Sequence, residues 1–256
     1  MALFQISELI LTNMVPINLS TIRRQIGERP DARKIFILSE GTQTEPGFLE
    51  KVLTNASYIK NDTVTFIKVN KTENDKGVTD FDGLLRLANS VIDNKDNHFN
   101  KKKDKVMLVF DLDVYYSKGN IDYIKQKIVE NSKYIIFVFA NPAIELFLLL
   151  CWSEDAYEKY VAPNLIAIIN NDWVKSDDGK QRRFVADLFI KTTGVDSKIS
   201  TADFTLLAEN IQKGINQENM YVSQKIGAGK DKLISNFGRV LEKIKNNTFD
   251  YIDYIL

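Results

Sequence analysis

The 256-residue chain is 44% hydrophobic and 27% charged, which fits one large globular domain or a domain with an appended subdomain. Its 34 Lys+Arg balance 34 Asp+Glu, excluding a general electrostatic pull toward nucleic acid or an anionic membrane, so any polyanion must be met by a local patch or through metal ions. The single Cys151 excludes an intramolecular disulfide, and one Cys with one His (His98) excludes a zinc site of the usual nitrogen and sulfur ligands, leaving a hard, oxygen-ligated metal open.

Residues 1 to 30 read as a short helix or arm ending in a basic stretch, Arg23, Arg24 and Arg29, closed by Pro30. The apolar residues from Ile6 to Val15 are interrupted by Glu8, Thr12 and Asn13, and no basic segment or small-residue cleavage site frames them, so a cytoplasmic location is expected. Lys34 to Leu38 is an apolar run opening into Ser39-Glu40-Gly41-Thr42, the pattern of a buried parallel strand entering a loop with Glu40 at its C-terminal end. Thr44-Glu45-Pro46 then supplies an N-cap residue, an acid and a proline ahead of Phe48, Leu49, Val52 and Leu53, one apolar helix face.

Thr63 to Val69 alternates as a second strand, and Asp80 to Ile92 carries a helical apolar stripe. Val106 to Phe110, behind the basic run Lys101 to Lys105, is a third strand ending in Asp111-Leu112-Asp113. Ile121 to Val129 reads as helix, Tyr134 to Ala140 as a fourth strand, and Asn141-Pro142 as the lead into a helix with Glu145 in its first turn. The longest apolar stretch, Tyr134 to Trp152, is broken by Asn141, Pro142 and Glu145, so no transmembrane segment is expected. Strands alternating with helices imply an α/β fold with a mostly parallel sheet covered on both faces, whose sites lie beyond the strand C-termini. From Ser153 the strand signal fades and helical patterns dominate at Tyr157 to Asn170, Phe184 to Thr192, Thr201 to Ile215 and Lys230 to Ile244. The expected organisation is an arm over 1–30, an α/β core over 31–155 and a mainly helical subdomain over 156–256.

Glu40, Asp111 and Asp113 all fall at strand C-termini. In an extended strand end Asp111 and Asp113 point the same way and converge on one ion. Carboxylates held close repel unless a cation compensates, and Mg²⁺ suits a few carboxylates with retained waters and substrate phosphate. The same residues also suit plain helix and turn capping, Glu45 above all. Glu145 either favours its helix N-terminus or faces the same crevice. Cys151 reads as a small buried hydrophobe, with no neighbouring His to make it a nucleophile, and His98 as a solvated loop residue. Ile226-Gly227-Ala228-Gly229-Lys230 lacks the spacing and the preceding strand of a phosphate loop and reads as a turn, although Lys225 and Lys230 beside it could reach a phosphate, as could Arg23, Arg24, Arg29 and the Lys101 to Lys105 run.

Ile35 to Pro46 with its Glu40-Gly41-Thr42-Gln43-Thr44-Glu45-Pro46 block, Val109 to Asp113, and Ala140-Asn141-Pro142-Ala143-Ile144-Glu145 through Leu150 together resemble the RloB-like family. That family includes the second component of AbiL-type phage abortive-infection systems and has a Toprim-like core. The resemblance covers roughly residues 20 to 155. It implies a Toprim-like fold in which Glu40 is the first-strand Glu, a metal ligand or general acid/base, and Asp111 and Asp113 are the metal-binding pair. Glu145 matches the family's Asn-Pro-x-Phe-Glu block, but Ile144 stands at the usual aromatic position and Cys151-Trp152 where His-Phe is expected. The resemblance further implies a Mg²⁺-dependent nuclease (Mn²⁺ substituting) that cuts RNA, tRNA included, or DNA under a partner ATPase of the RloA or AbiLi type. A non-catalytic regulatory subunit is the alternative, and a primase-like nucleotidyl transferase ranks last.

Overall fold

The apolar runs of the sequence become the middle strands of a single sheet. The computed structural model describes residues 18–23, 32–55, 57–59, 64–71, 77–78, 80–250, 252 and 254. In chain order the first part comprises β1 (Asn18–Arg23), β2 (Arg33–Ser39), α1 (Thr44–Thr54), β3 (Val64–Asn70), α2 (Phe81–Asp93), β4 (Lys105–Asp111), α3 (Asp113–Ser117), α4 (Ile121–Asn131), β5 (Ile135–Asn141) and α5 (Glu145–Leu150). There follow α6 (Leu165–Asn170), β6 (Trp173–Lys175), β7 (Gln181–Arg183), α7 (Phe184–Thr193), α8 (Thr205–Glu209), α9 (Ile211–Tyr221), β8 (Ile234–Ser235) and α10 (Phe237–Lys245).

The strand order is β1-β3-β2-β4-β5-β8. The middle four are mutually parallel, and β1 and β8 close the edges antiparallel. This is the mostly parallel α/β sheet that alternating strands and helices demand.

The continuous apolar runs follow from burial on both faces. Ile35, Ile37, Met107, Val109, Ile136 and Val138 enter one core, while Phe36, Leu38, Val106, Leu108, Phe110, Ile135, Phe137 and Phe139 enter the other. Successive residues alternate between the two, as the period of two requires. Phe81, Leu84, Ala88 and Val91 of α2, with Ile124 and Ile128 of α4, cover the second face. Phe48, Leu49 and Val52 of α1 cover the first, together with α5 and the later helices. Phe147 of α5 joins the two parts, its ring 6.1 Å from Phe48 and 5.5 Å from Phe237 of α10. Among the described residues no helix is long and apolar enough to cross a membrane.

Three expectations require correction. The helix or arm over 1–30 is a strand at Asn18–Arg23, where a segment without hydrophobic period uses the open edge of β3 for its backbone pairing; Arg24 and Arg29 lie outside the described residues. The helix over Lys230 to Ile244 begins only at Phe237, because Ile234–Ser235 instead pairs with Ala140 and Asn141 as β8. The helix over Thr201 to Ile215 divides near Asn210 into α8 and α9. The hairpin β6–β7 has no counterpart in the sequence reading, since three-residue strands with the composition Gln-Arg-Arg carry no apolar period.

Candidate functional site

In the order β3-β2-β4-β5 the chain leaves β2 toward one side and returns at β4 on the other, so the crevice beyond the C-termini of β2 and β4 is the topological switch point. Glu40 and Asp111 sit there. The Glu40 backbone N–H donates to Val109 O at 2.8 Å, and the Asp111 N–H donates to Glu40 Oε2 at 3.2 Å, so the two strand ends are laced together. Asp111 Oδ1 in turn accepts the Ile144 N–H at 3.1 Å, which fixes its carboxylate against the start of α5.

Asp113 arrives differently from the expectation. Leu112 is in the helical region (φ −98°, ψ −14°) and Asp113 begins α3, so the period-two argument for a shared direction does not apply. Helix geometry nevertheless leaves Asp113 beside Asp111 on the wall of a cavity of about 280 Å³, with Glu145 and Lys198 also lining it. Asp113 Oδ1 accepts the Val114 N–H at 2.6 Å.

Glu45 is buried in the first turn of α1 and reaches back so that Oε1 accepts the Gly41 N–H at 3.2 Å. The contact needs glycine: a Cβ on Gly41 would lie 2.2 Å from Glu45 Oε2. Glu45 Oε2 is buried without a hydrogen-bond partner. Thr44 does not serve as the expected N-cap, since Gln43 holds that position and the Thr44 hydroxyl donates to Ser197 O at 2.9 Å. Glu145, 1% exposed, accepts the Ser197 hydroxyl at 3.0 Å and pairs with Lys198 Nζ at 2.7 Å.

These carboxylates share one field. Burial pushes Glu40 up to about 7, against the Asp111 N–H bond, with Glu45 and Asp113 adding to the rise. Burial raises Asp111 well above the usual carboxylate range, reinforced by Glu45, Glu40 and Glu145. Glu45 and Asp113 are raised as well, both chiefly by burial. Lys198 is raised against the partial desolvation of its ammonium, because Glu145, Glu45 and Asp111 lie around it. The cations that moderate the cluster all come from elsewhere in the chain: Lys198, Arg183 toward Asp113, and Lys71, whose Nζ also donates to Glu40 O at 2.5 Å. Sequence reasoning missed all three, along with Asn171 and Ser197. None sits in a motif, and only the long-range fold brings them to the crevice.

The donor set is all oxygen, mutually repelling and partly unpartnered, which is the chemistry a hard divalent cation satisfies. Among the described residues no three such groups close on a common point where an ion could sit.

The remaining candidates divide clearly. Lys230 lines a second cavity, about 480 Å³, that also borders Asp113 and Arg183. Lys225 is exposed and lines neither cavity. The backbone of Arg23 ends β1, at the sheet edge; Arg24 lies outside the described residues. The Lys101 to Lys105 run leads into β4, whose first residue is Lys105, and so stands at the opposite end of that strand, about 20 Å from Asp111. Cys151 is fully buried and His98 is exposed, as their sequence settings indicated.

The fold and this crevice define an α/β protein with an acidic site at the switch point of a mostly parallel sheet. A family described as RloB-like protein matches residues 35–244, and the chain belongs to that family. The match extends well past residue 155, through the segments that supply Arg183, at the end of β7, and Lys198, in the turn between α7 and α8. Neither the curated proteins nor the solved structures include a match to the chain. Membership of the RloB-like family suggests a role in a defence system of the abortive-infection type.

Proposed function

We propose that the protein is a Mg²⁺-dependent nuclease effector of such a system, Toprim-like in its core, cutting phosphodiester bonds in RNA or DNA under the control of a partner ATPase. The observation that carries this reading is the gathering of Glu40, Asp111, Asp113 and Glu45 at one crevice beside Glu145, the first four pushed upward chiefly by burial and further by one another or by Glu145. Buried acids at such a cost are retained where a cation or a proton is part of the work.

Glu40, Asp111 and Asp113 are the groups to hold the ion, which when bound would polarise a phosphoryl oxygen and acidify a water. The chain's own part is positioning. The Asp111 N–H holds Glu40 Oε2 and so fixes the carboxyl at the end of β2 against the end of β4. The Ile144 N–H keeps Asp111 aimed from the end of β4. Lys198 balances Glu145 on the wall of the crevice.

The test is cleavage of total RNA and of plasmid DNA by purified protein, with Mg²⁺, Mn²⁺ or EDTA, with and without the neighbouring-gene ATPase. Metal-dependent cleavage that falls by at least ~100-fold in Asp111→Asn and Asp113→Asn supports the reading. No cleavage by folded wild type under any of these conditions sinks it. The alternative, a non-catalytic regulatory or binding subunit of the same system, draws on the absence of three converging ligands among the described residues and on Cys151, buried where the family's His is expected.

A further inference from the structure

We infer that the β6–β7 hairpin is a clamp for an unpaired polynucleotide strand, with one base stacked on Trp173 and the adjoining phosphate held by Arg183 at the mouth of the acidic crevice. The inference rests on the nuclease reading for the identity of the polymer and goes beyond it in naming the conformation the site accepts.

The hairpin is a short antiparallel pair, Trp173 opposite Arg183 and Lys175 opposite Gln181. It leaves the molecule with Trp173 62% exposed, an unusual position for the largest side chain of a soluble fold unless the ring has a partner to meet. The Arg183 guanidinium lies 4.8 Å from the centre of that ring, and one of its N–H groups donates to Asn171 O at 3.2 Å. Arg183 also borders both cavities, the 280 Å³ one it shares with Trp173, Asp111 and Glu145, and the 480 Å³ one it shares with Lys230 and Lys118. Asp113 borders both as well. A strand running from one cavity to the other therefore passes an exposed indole, an arginine and the acidic pocket in succession, with lysines beyond.

The hairpin is held stiffly enough for this task. Arg182 forks onto Asp178 across the turn, at 2.5 and 2.7 Å, and reaches Asp196 at 3.0 Å. The Phe184 N–H donates to Asp172 O and the Val185 N–H to Asn171 Oδ1, which ties the hairpin base to the start of α7. A flat ring beside a fixed cation binds a base by its π face, whatever the base, and its phosphate by charge. In a duplex the bases are already stacked on their neighbours and offer no free face, so the clamp selects unpaired strand.

The experiment measures binding without turnover, by anisotropy of labelled, unstructured 12-nucleotide RNA and DNA oligonucleotides and of a blunt duplex, in EDTA, with the full chain. Intrinsic fluorescence is followed in a Trp152→Phe background, which leaves Trp173 as the sole tryptophan. Expected are tighter binding of single strands than of duplex, quenching of Trp173 on binding, a loss of ~10-fold or more in Trp173→Ala with most affinity kept in Trp173→Phe, and a weaker, less salt-dependent complex in Arg183→Ala. The RNA and DNA arms show which polymer is preferred. Wild type that binds no oligonucleotide, or that binds single strands unchanged in Trp173→Ala and without quenching, overturns the clamp. The two readings separate cleanly: cleavage that survives Trp173→Ala undiminished leaves the nuclease and removes the clamp, whereas Trp173-dependent binding without metal-dependent cleavage leaves the clamp and removes the nuclease.

Discussion

Replacing Glu40 by Gln keeps the acceptor that the Asp111 N–H uses and removes one charge from the buried field. In the folded protein this carboxyl is pushed from 4.5 up to about 7. The folded state therefore keeps its proton where the unfolded chain has released it, so the group's contribution to stability is greatest below pH 4.5. It declines as pH rises toward 7 and is constant above. At 1.36 kcal/mol per unit, the loss between pH 5 and pH 8 amounts to about 2.5 kcal/mol. Urea unfolding at pH 5, 6, 7 and 8 in EDTA reads this directly. Wild type should lose stability across the range. Glu40→Gln should match wild type near pH 5 and exceed it by about 2–3 kcal/mol at pH 8. Carboxylates with lowered values, such as Asp178 held by Arg182, titrate below this window, while Glu218, also pushed up to about 7 by burial, and the other raised carboxyls of the crevice are common to both proteins, so Glu40 is read from the difference between the two profiles. Saturating Mg²⁺ at pH 8 should close much of the gap by binding only the folded wild type. Parallel pH profiles for the two proteins, or a variant less stable at pH 8, would refute the account of the crevice as a field of carboxyls raised by burial.

Two other substitutions probe the frame around the site. Gly41→Ala drives a methyl to within 2.2 Å of Glu45 Oε2 in a buried turn, so chemical denaturation should show a loss of about 1–3 kcal/mol, and an unchanged midpoint would mean that the Gly41–Glu45 contact is not close in solution. Lys198→Met leaves Glu145 buried with the Ser197 hydroxyl as its partner; because the Lys198 side chain is 56% exposed, the expected cost at pH 8 is about 1–3 kcal/mol rather than that of a fully buried pair. The cost should vanish in a Glu145→Gln background, and an equal loss in both backgrounds would assign it to packing instead.

The α/β order, the four parallel strands and the placing of Glu40 and Asp111 at their C-terminal ends were legible because they are local. A run such as Val106 to Phe110 is apolar since both its faces are buried, and the chain must turn polar where the strand leaves the sheet. Legible too was the acidity of the three motifs. What compensates it was not. Lys198, Arg183 and Lys71 lie in segments with no pattern of their own, and Ser197 meets Thr44 across 153 residues. Asp113 kept its place at the crevice although the chain turns into α3 before it, which an extended reading of Asp111-Leu112-Asp113 did not foresee. Strands as short as β6, β7 and β8 escaped notice because two or three residues carry no period and their pairing is made by backbone groups that every residue carries. Periodicity reports which face of an element is buried, and so it determined the elements and the strand ends. The partners that meet across a face are chosen by packing over long loops, and only the tertiary structure decided those: the cations around the carboxylates, and the tryptophan at their door.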